Sequence, residues 1–406
     1  MTSSTFFAAV LALGAALVWA APSSAQNVAE TLRADSVLTP PGGPRTVMVH
    51  AEGTAVIALR LHIPVAEAPS EAGAGEILRR MGVGRAFSVA DQVGARLEAS
   101  RTATGITYTV TGPGADFDHL VWVLRTATAH PGLQRFQQVR SELRSELEGH
   151  RETAAGVLAR TLRTRAAPSS PPPEGTLATL QGMEHETLLG IWRRTHRRDA
   201  LTLVLVGTVA PEAALAALMD LGSSGGEEAE EAHLTADLPQ EPTPDPEVIR
   251  HWYGEAYPVP DVDDPRALVA AVLFSERLRS TPGNFEVGVE LWEVDDRTLL
   301  AFTGAAYPRS ASALRARIEG LREEVASEVS SESVERARLR LWRDLLHQTQ
   351  TPWGLANLMG RWMELSGDSG AAARYVEALE NVDREAMEEF LRALAAAASS
   401  TGEVRP

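Results

Sequence analysis

Thr107–Leu124, TYTVTGPGADFDHLVWVL, reads as a strand that Gly112-Pro113-Gly114 turns into an amphipathic helix over Phe117–Thr128. The same order returns in Leu299–Ile318, LLAFTGAAYPRSASALRARI, where Gly304 begins the turn. Order of elements carries this match more than residue identity does. The pair points to an internal duplication and so to two α+β units.

Other segments fall into place around these two. Thr46–Val65 alternates apolar and polar residues and reads as paired strands, followed by a short helix over Ala74–Met81. Gly105–Thr111 is the strand of the opening stretch, and a long charged helix is predicted over Phe136–Thr164. Leu201–Val206 reads as a buried strand leading through Gly207 and Pro211 into a helix over Glu212–Leu221. In the second half, strands are predicted at Glu247–Tyr257 and Arg297–Thr303. Helices are predicted at Pro265–Arg279, Ala311–Val329 and Ser333–Gln348. Between the halves, Gly222–Pro246 is first glycine- and serine-rich, then acidic, then proline-rich, and reads as a linker. Ala166–Gly175 is a second, shorter interruption.

The expected domains are therefore 26–221 and 247–400, joined by a linker at 222–246, with a signal peptide at 1–25. Phe6–Ala21 is an almost unbroken apolar run, short for a membrane span, and Ser23 and Ala25 suit a signal-peptidase cut before Gln26. Lys and Arg are absent from the first five residues, so an uncleaved anchor is the alternative. No later segment is apolar for long enough to span a membrane. A periplasmic or otherwise extracytoplasmic location is expected. The chain has no cysteine, which removes disulfides, thiolate metal sites and cysteine nucleophiles. Its net charge of −16 opposes nucleic-acid binding.

Several segments, in order, resemble the insulinase/pitrilysin peptidases, inverzincins that include processing-peptidase-like members. Gly73–Met81 (GAGEILRRM) resembles the family's Gly-x-Ala-His-x-x-Glu-His-Met. Phe136–Gly149 resembles the helix bearing the third zinc ligand, Glu174–Leu218 the Gly-Thr turn, helix and Val-Gly strand end, and Ser333–Ala397 the helical close of the second domain. The resemblance implies an α+β fold of two homologous domains, each a mixed, mostly antiparallel sheet packed with helices.

It also implies a degenerate site. Active members carry His-x-x-Glu-His on a helix, two neutral imidazoles holding zinc and a glutamate activating water. Here the run is Glu76-Ile77-Leu78-Arg79-Arg80. Glu76 stands for the first ligand, Arg79 for the base and Arg80 for the second ligand. A guanidinium has no lone pair to offer a metal or a proton. No metal or other cofactor is expected. Glu142, Glu146 and Glu148 lie near the third-ligand position. They read as i,i+3 and i,i+4 partners along an Arg-rich helix, or alternatively one of them pairs with Arg79 or Arg80. Family assemblies grip substrate with an Arg and a Tyr of the second domain. Arg277 is the candidate here, but Phe285 stands about where the Tyr would be.

Other constellations carry less. His185-Glu186 opens an ordinary zincin motif, but Leu189 occupies the second histidine's place. His50 and His62 fall on predicted strands and could face one another. The reading that follows is a non-catalytic subunit of a periplasmic insulinase-family peptidase. It would pair with a zinc-bearing catalytic subunit, as a heterodimer or larger, and help enclose peptide substrate. A stand-alone peptide-binding or chaperone-like protein is the alternative, and a metal site rebuilt from Glu76, His50 or His62 is a third.

Overall fold

The computed structural model describes residues 28–222 and 249–406 except positions 41, 52, 103, 152, 169–171, 220, 260–263, 281–284 and 295–296. The expected signal peptide, and the linker beyond Gly222, lie outside the described residues.

The first half runs β1 (Ser36–Leu38), β2 (Arg45–Val49), β3 (Val56–Pro64), α1 (Ala74–Asp91), β4 (Arg96–Arg101), β5 (Gly105–Pro113), α2 (Phe117–Thr128), α3 (Leu133–Arg151), α4 (Ala154–Ala166), α5 (Leu177–Gly182), α6 (His185–Thr195), β6 (Thr202–Val206) and α7 (Pro211–Leu218). The second runs β7 (His251–Val259), α8 (Pro265–Ser280), β8 (Glu286–Val294), β9 (Arg297–Ala306), α9 (Ala311–Glu328), α10 (Ser331–Thr349), α11 (Pro352–Ser366), α12 (Ala371–Glu380), α13 (Arg384–Ala396) and β10 (Ser400–Val404). From β3 to β6 and from β7 to β10 the element order is the same, and so is the strand order, β6-β3-β5-β4 against β10-β7-β9-β8. The first sheet adds β2, parallel to β6, and β1 beyond it.

Four expectations change. β2 and β3 do not pair with each other, because β6 lies between them. α1 continues to Asp91, past Gly82, where a side chain would collide with the Tyr108 hydroxyl and the Ala127 carbonyl. Glycine lets the helix lie that close to the sheet. The long charged helix is two helices. Thr153 caps the second by accepting from Gly156 N at 3.2 Å. Strands β1, β4, β8 and β10 appear where no strand was read, and β10 carries the second sheet to Val404.

The break at Thr153 frees α4 to leave its own domain. One face of the first sheet (Leu59, Leu61, Tyr108, Leu203) packs on α1, α2, α3 and α6 through Ile77, Leu120, Val139 and Leu188. Its other face (Val47, Ala58, Val204) is covered by Leu355, Met359, Trp362 and Tyr375, from α11 and α12 of the second half. Conversely, Ala256, Leu299 and Ala301 of the second sheet are covered by Val157, Leu158 and Leu162 of α4. Burying each such large side chain stabilises the fold by about 1.5–3 kcal/mol, so each half depends on a helix lent by the other.

The α11 crossing has a polar centre. Glu364 accepts from Arg60 and, at 3.0 Å, from the Thr107 hydroxyl, with the His62 ring 3.2 Å away. Asn357 accepts from Arg60 Nε at 3.0 Å and from Thr109 at 3.2 Å. Gly360 makes room, since any side chain there would overlap the Arg60 guanidinium. Burial would raise the Glu364 carboxyl, but His62 and Arg60 outweigh it and hold it down at about 2.

Candidate functional site

The start of α1 is fixed by Glu67. Its buried carboxylate accepts from the backbone N–H of Gly73 at 3.2 Å and of Gly75 at 2.5 Å, with Arg101 3.6 Å away. Anion and helix N-terminus suit each other electrostatically. Burial still dominates and pushes the Glu67 carboxyl upward.

One turn on, the helix carries Glu76, Arg79 and Arg80 on neighbouring positions of one face. The Glu76 side chain is only 8% exposed. It accepts from Arg79 Nε at 2.7 Å and Nη2 at 2.6 Å, and from Arg80 Nε at 2.6 Å. Arg79 Nη1 also donates to the Ala99 carbonyl at 3.2 Å on β4, the edge strand of the first sheet. The terminal nitrogens of Arg80 reach across to α3 and donate to both oxygens of Glu146, at 2.7 and 2.6 Å. Burial works against the Glu76 charge, but hydrogen bonds and charge from the two arginines prevail and lower its carboxyl below the usual range. The hydrogen bonds that Arg80 donates to Glu146 raise it above an ordinary arginine, and those to Glu76 do the same for Arg79. Both guanidiniums are permanent cations here.

Not every residue singled out in the sequence joins this cluster. Glu142 accepts from Gln138 at 2.8 Å, and Glu148 lies 3.9 Å from Arg144, both along α3. Arg277 is turned onto α9, donating to Glu324 at 3.0 Å and Glu328 at 2.9 Å. Phe285 packs against the core of the second sheet. His185 faces the Pro131 carbonyl at 3.0 Å. His50 and His62 do not meet. β6 intervenes, and His62 pairs with Thr202 while β2 ends opposite Val206. That offset is on the order of 13 Å along the strands. His62 also lies on the α11 face of the sheet and Glu76 on the α1 face, so the three do not form one metal site. Among the described residues no group of three or more metal-binding side chains is arranged around a common point.

No protein-family model matches the sequence, and no curated protein is similar to it. Solved structures are. A protease from Helicobacter pylori superposes with a TM-score of 0.78 at 15% identity, over 91% of this chain and 99% of that one. A protein described as an M16-like peptidase from Alicyclobacillus acidocaldarius gives 0.71 at 13% identity, over 91% and 98%. The periplasmic protease PqqL from Escherichia coli gives 0.70 at 12% identity, over 92% of this chain and 46% of that one. The chain has the insulinase/pitrilysin fold. Zinc, which the insulinase/pitrilysin resemblance implies, does not fit the groups present at Glu76–Arg80. The carboxylate of Glu76 is already engaged by three guanidinium N–H donors, and Arg79 and Arg80 beside it are cations without a lone pair. Of the three acids on α3, Glu146 takes the second of the two readings, pairing with Arg80 and bridging α3 to α1.

Proposed function

We propose that this chain is a non-catalytic, exported subunit that pairs with a zinc-bearing peptidase of the same fold and helps enclose a peptide. The observation that carries the proposal is the saturated Glu76–Arg79–Arg80–Glu146 cluster. Its charges balance one another, the base and second-ligand positions hold guanidiniums with no lone pair, and both carboxylates are engaged by guanidinium N–H donors. The cluster sits beside β4, a sheet edge of the kind an extended peptide can join. Periplasmic location is supported by the similarity to PqqL, described as periplasmic, and by the apolar run Phe6–Ala21. Among the described residues no helix is long and apolar enough to cross a membrane.

The test is co-purification of the full chain from its own organism, with zinc and peptidase activity measured on the isolated complex and on this chain alone. A companion peptidase that carries the zinc, and that loses activity when this chain is removed, is the expected result. Stoichiometric zinc on this chain alone would overturn the proposal. A monomer that binds peptide with no companion would favour the stand-alone binding protein.

A further inference from the structure

We infer that the Arg80 guanidinium is a docking point for a single carboxylate on an extended peptide, and that Glu146 is the stand-in such a ligand displaces. This rests on the peptide-enclosing role proposed above.

The two acids of the cluster are held differently. Glu76 shares a helix with both arginines and is buried, so losing it would strand two cations in a poorly solvated place. Glu146 comes from another helix, its side chain is 47% exposed, and it meets Arg80 through two parallel N–H···O bonds. That is the geometry with which a guanidinium receives any free carboxylate. Pairs this exposed contribute little to stability, and a long glutamate regains rotamer freedom on release. Exchange of Glu146 for an incoming carboxylate leaves the number of charge-assisted bonds at the Arg80 fork unchanged.

Charge limits the ligand to one such group. With Glu146 swung away, Glu76, Arg79 and Arg80 sum to a single positive charge, which one carboxylate neutralises. A polyanion would meet the repulsion of a chain that carries −16 overall. Position favours a peptide. Arg79, which shares Glu76 with Arg80, is fastened to Ala99 of β4, the edge strand along which an extended chain can align. The carboxylate could be a side chain or the chain's C-terminus, and both present the same two oxygens.

The experiment uses the full chain and three ten-residue peptides of otherwise neutral composition, each carrying an uncharged boron-dipyrromethene dye without a carboxylate, with affinity read by anisotropy. One has an internal Glu and an amidated end, one has Gln and a free C-terminus, and one has Gln and an amidated end. Glu146→Gln removes the competitor. It should tighten a carboxylate-bearing peptide about tenfold relative to the neutral one, the scale of a charged hydrogen-bond pair. Arg80→Lys keeps the charge that Glu76 needs, and so the fold, but loses the fork. It should erase most of that preference, and Arg80→Gln should erase all of it. Gain confined to the Glu peptide assigns a side chain, and gain confined to the free terminus assigns the C-terminus. Equal gain for all three peptides, an undiminished preference in Arg80→Gln, or no binding of any peptide would overturn the inference. The subunit proposal is judged separately, by the companion and zinc measurements.

Discussion

Glutamine at position 364 isolates the polar crossing of α11 over the first sheet. The Arg60 and Glu364 side chains are 7% and 5% exposed, so the variant leaves a buried guanidinium without its counter-charge. Removal of one partner from a buried pair destabilises by about 3–5 kcal/mol. A second route uses protonation. The carboxyl falls from its ordinary 4.5 to about 2 on folding. A difference of that size corresponds to about 3 kcal/mol. The two routes agree. Because the folded-state value lies below the unfolded one, this stabilisation is present in full above about pH 4.5. It fades as pH falls toward 2. Urea unfolding of wild type and Glu364→Gln, followed by circular dichroism across pH 7 to 3, should show a gap of about 3 kcal/mol that narrows below pH 4.5. A gap under about 1 kcal/mol at pH 7, or one that stays constant down to pH 3, would refute the reasoning.

Glu76→Ala should cost about 3 kcal/mol in the same assay by leaving Arg79 without its carboxylate and Arg80 with Glu146 alone, and adding Arg79→Ala should recover part of it. Additive losses would mean that Glu76 and Arg79 are not energetically coupled. The triple variant Glu76→His, Arg79→Glu, Arg80→His sets two imidazoles and a glutamate on the same face of α1, within reach of Glu146. It should take up one zinc per chain by elemental analysis, and further Glu146→Ala should weaken zinc by at least about 100-fold. Zinc uptake no greater than in the unaltered chain would count against the correspondence of Glu76–Arg80 with the peptidase motif. Gly360→Ala drives a methyl group into Arg60 and should destabilise by about 1–3 kcal/mol, seen as a lower melting temperature. An unchanged melt would show that Arg60 can move aside.

The duplicated order of elements was legible because its strands alternate and its helices are amphipathic. Phe117–Thr128 has the predicted bounds. β4 was missed because RLEASR is half-exposed along its length and offers no clean apolar alternation. β10, STGEV, is short and polar. β8 does carry the alternation, in Val287, Val289 and Leu291, and is readable from it. The insertion of β6 between β2 and β3 is a long-range pairing that local periodicity does not encode. At the site, the chemistry of Arg79 and Arg80 follows from residue type alone. The Arg80–Glu146 pair joins positions 66 apart in sequence, and only the packing of α3 on α1 brings them together. Thr153 was a readable cap within the charged helix, and it marks where α4 departs.

That exchange of helices sets an order of events during synthesis. The last strand of the first sheet ends at Val206, but α11, which covers the sheet's second face, begins only at Pro352. At about 5–20 residues per second a ribosome needs roughly 7–30 s to make positions 207–351. For that interval Val47, Ala58 and Val204 have only the short segment of Val28, Ala29 and Leu32 to rest against, and Arg60 has no Glu364. The nascent first half is thus a sticky, half-covered layer that calls for a holding chaperone or slow closure. The chain is one cooperative body in its making, whatever its two-part appearance when finished.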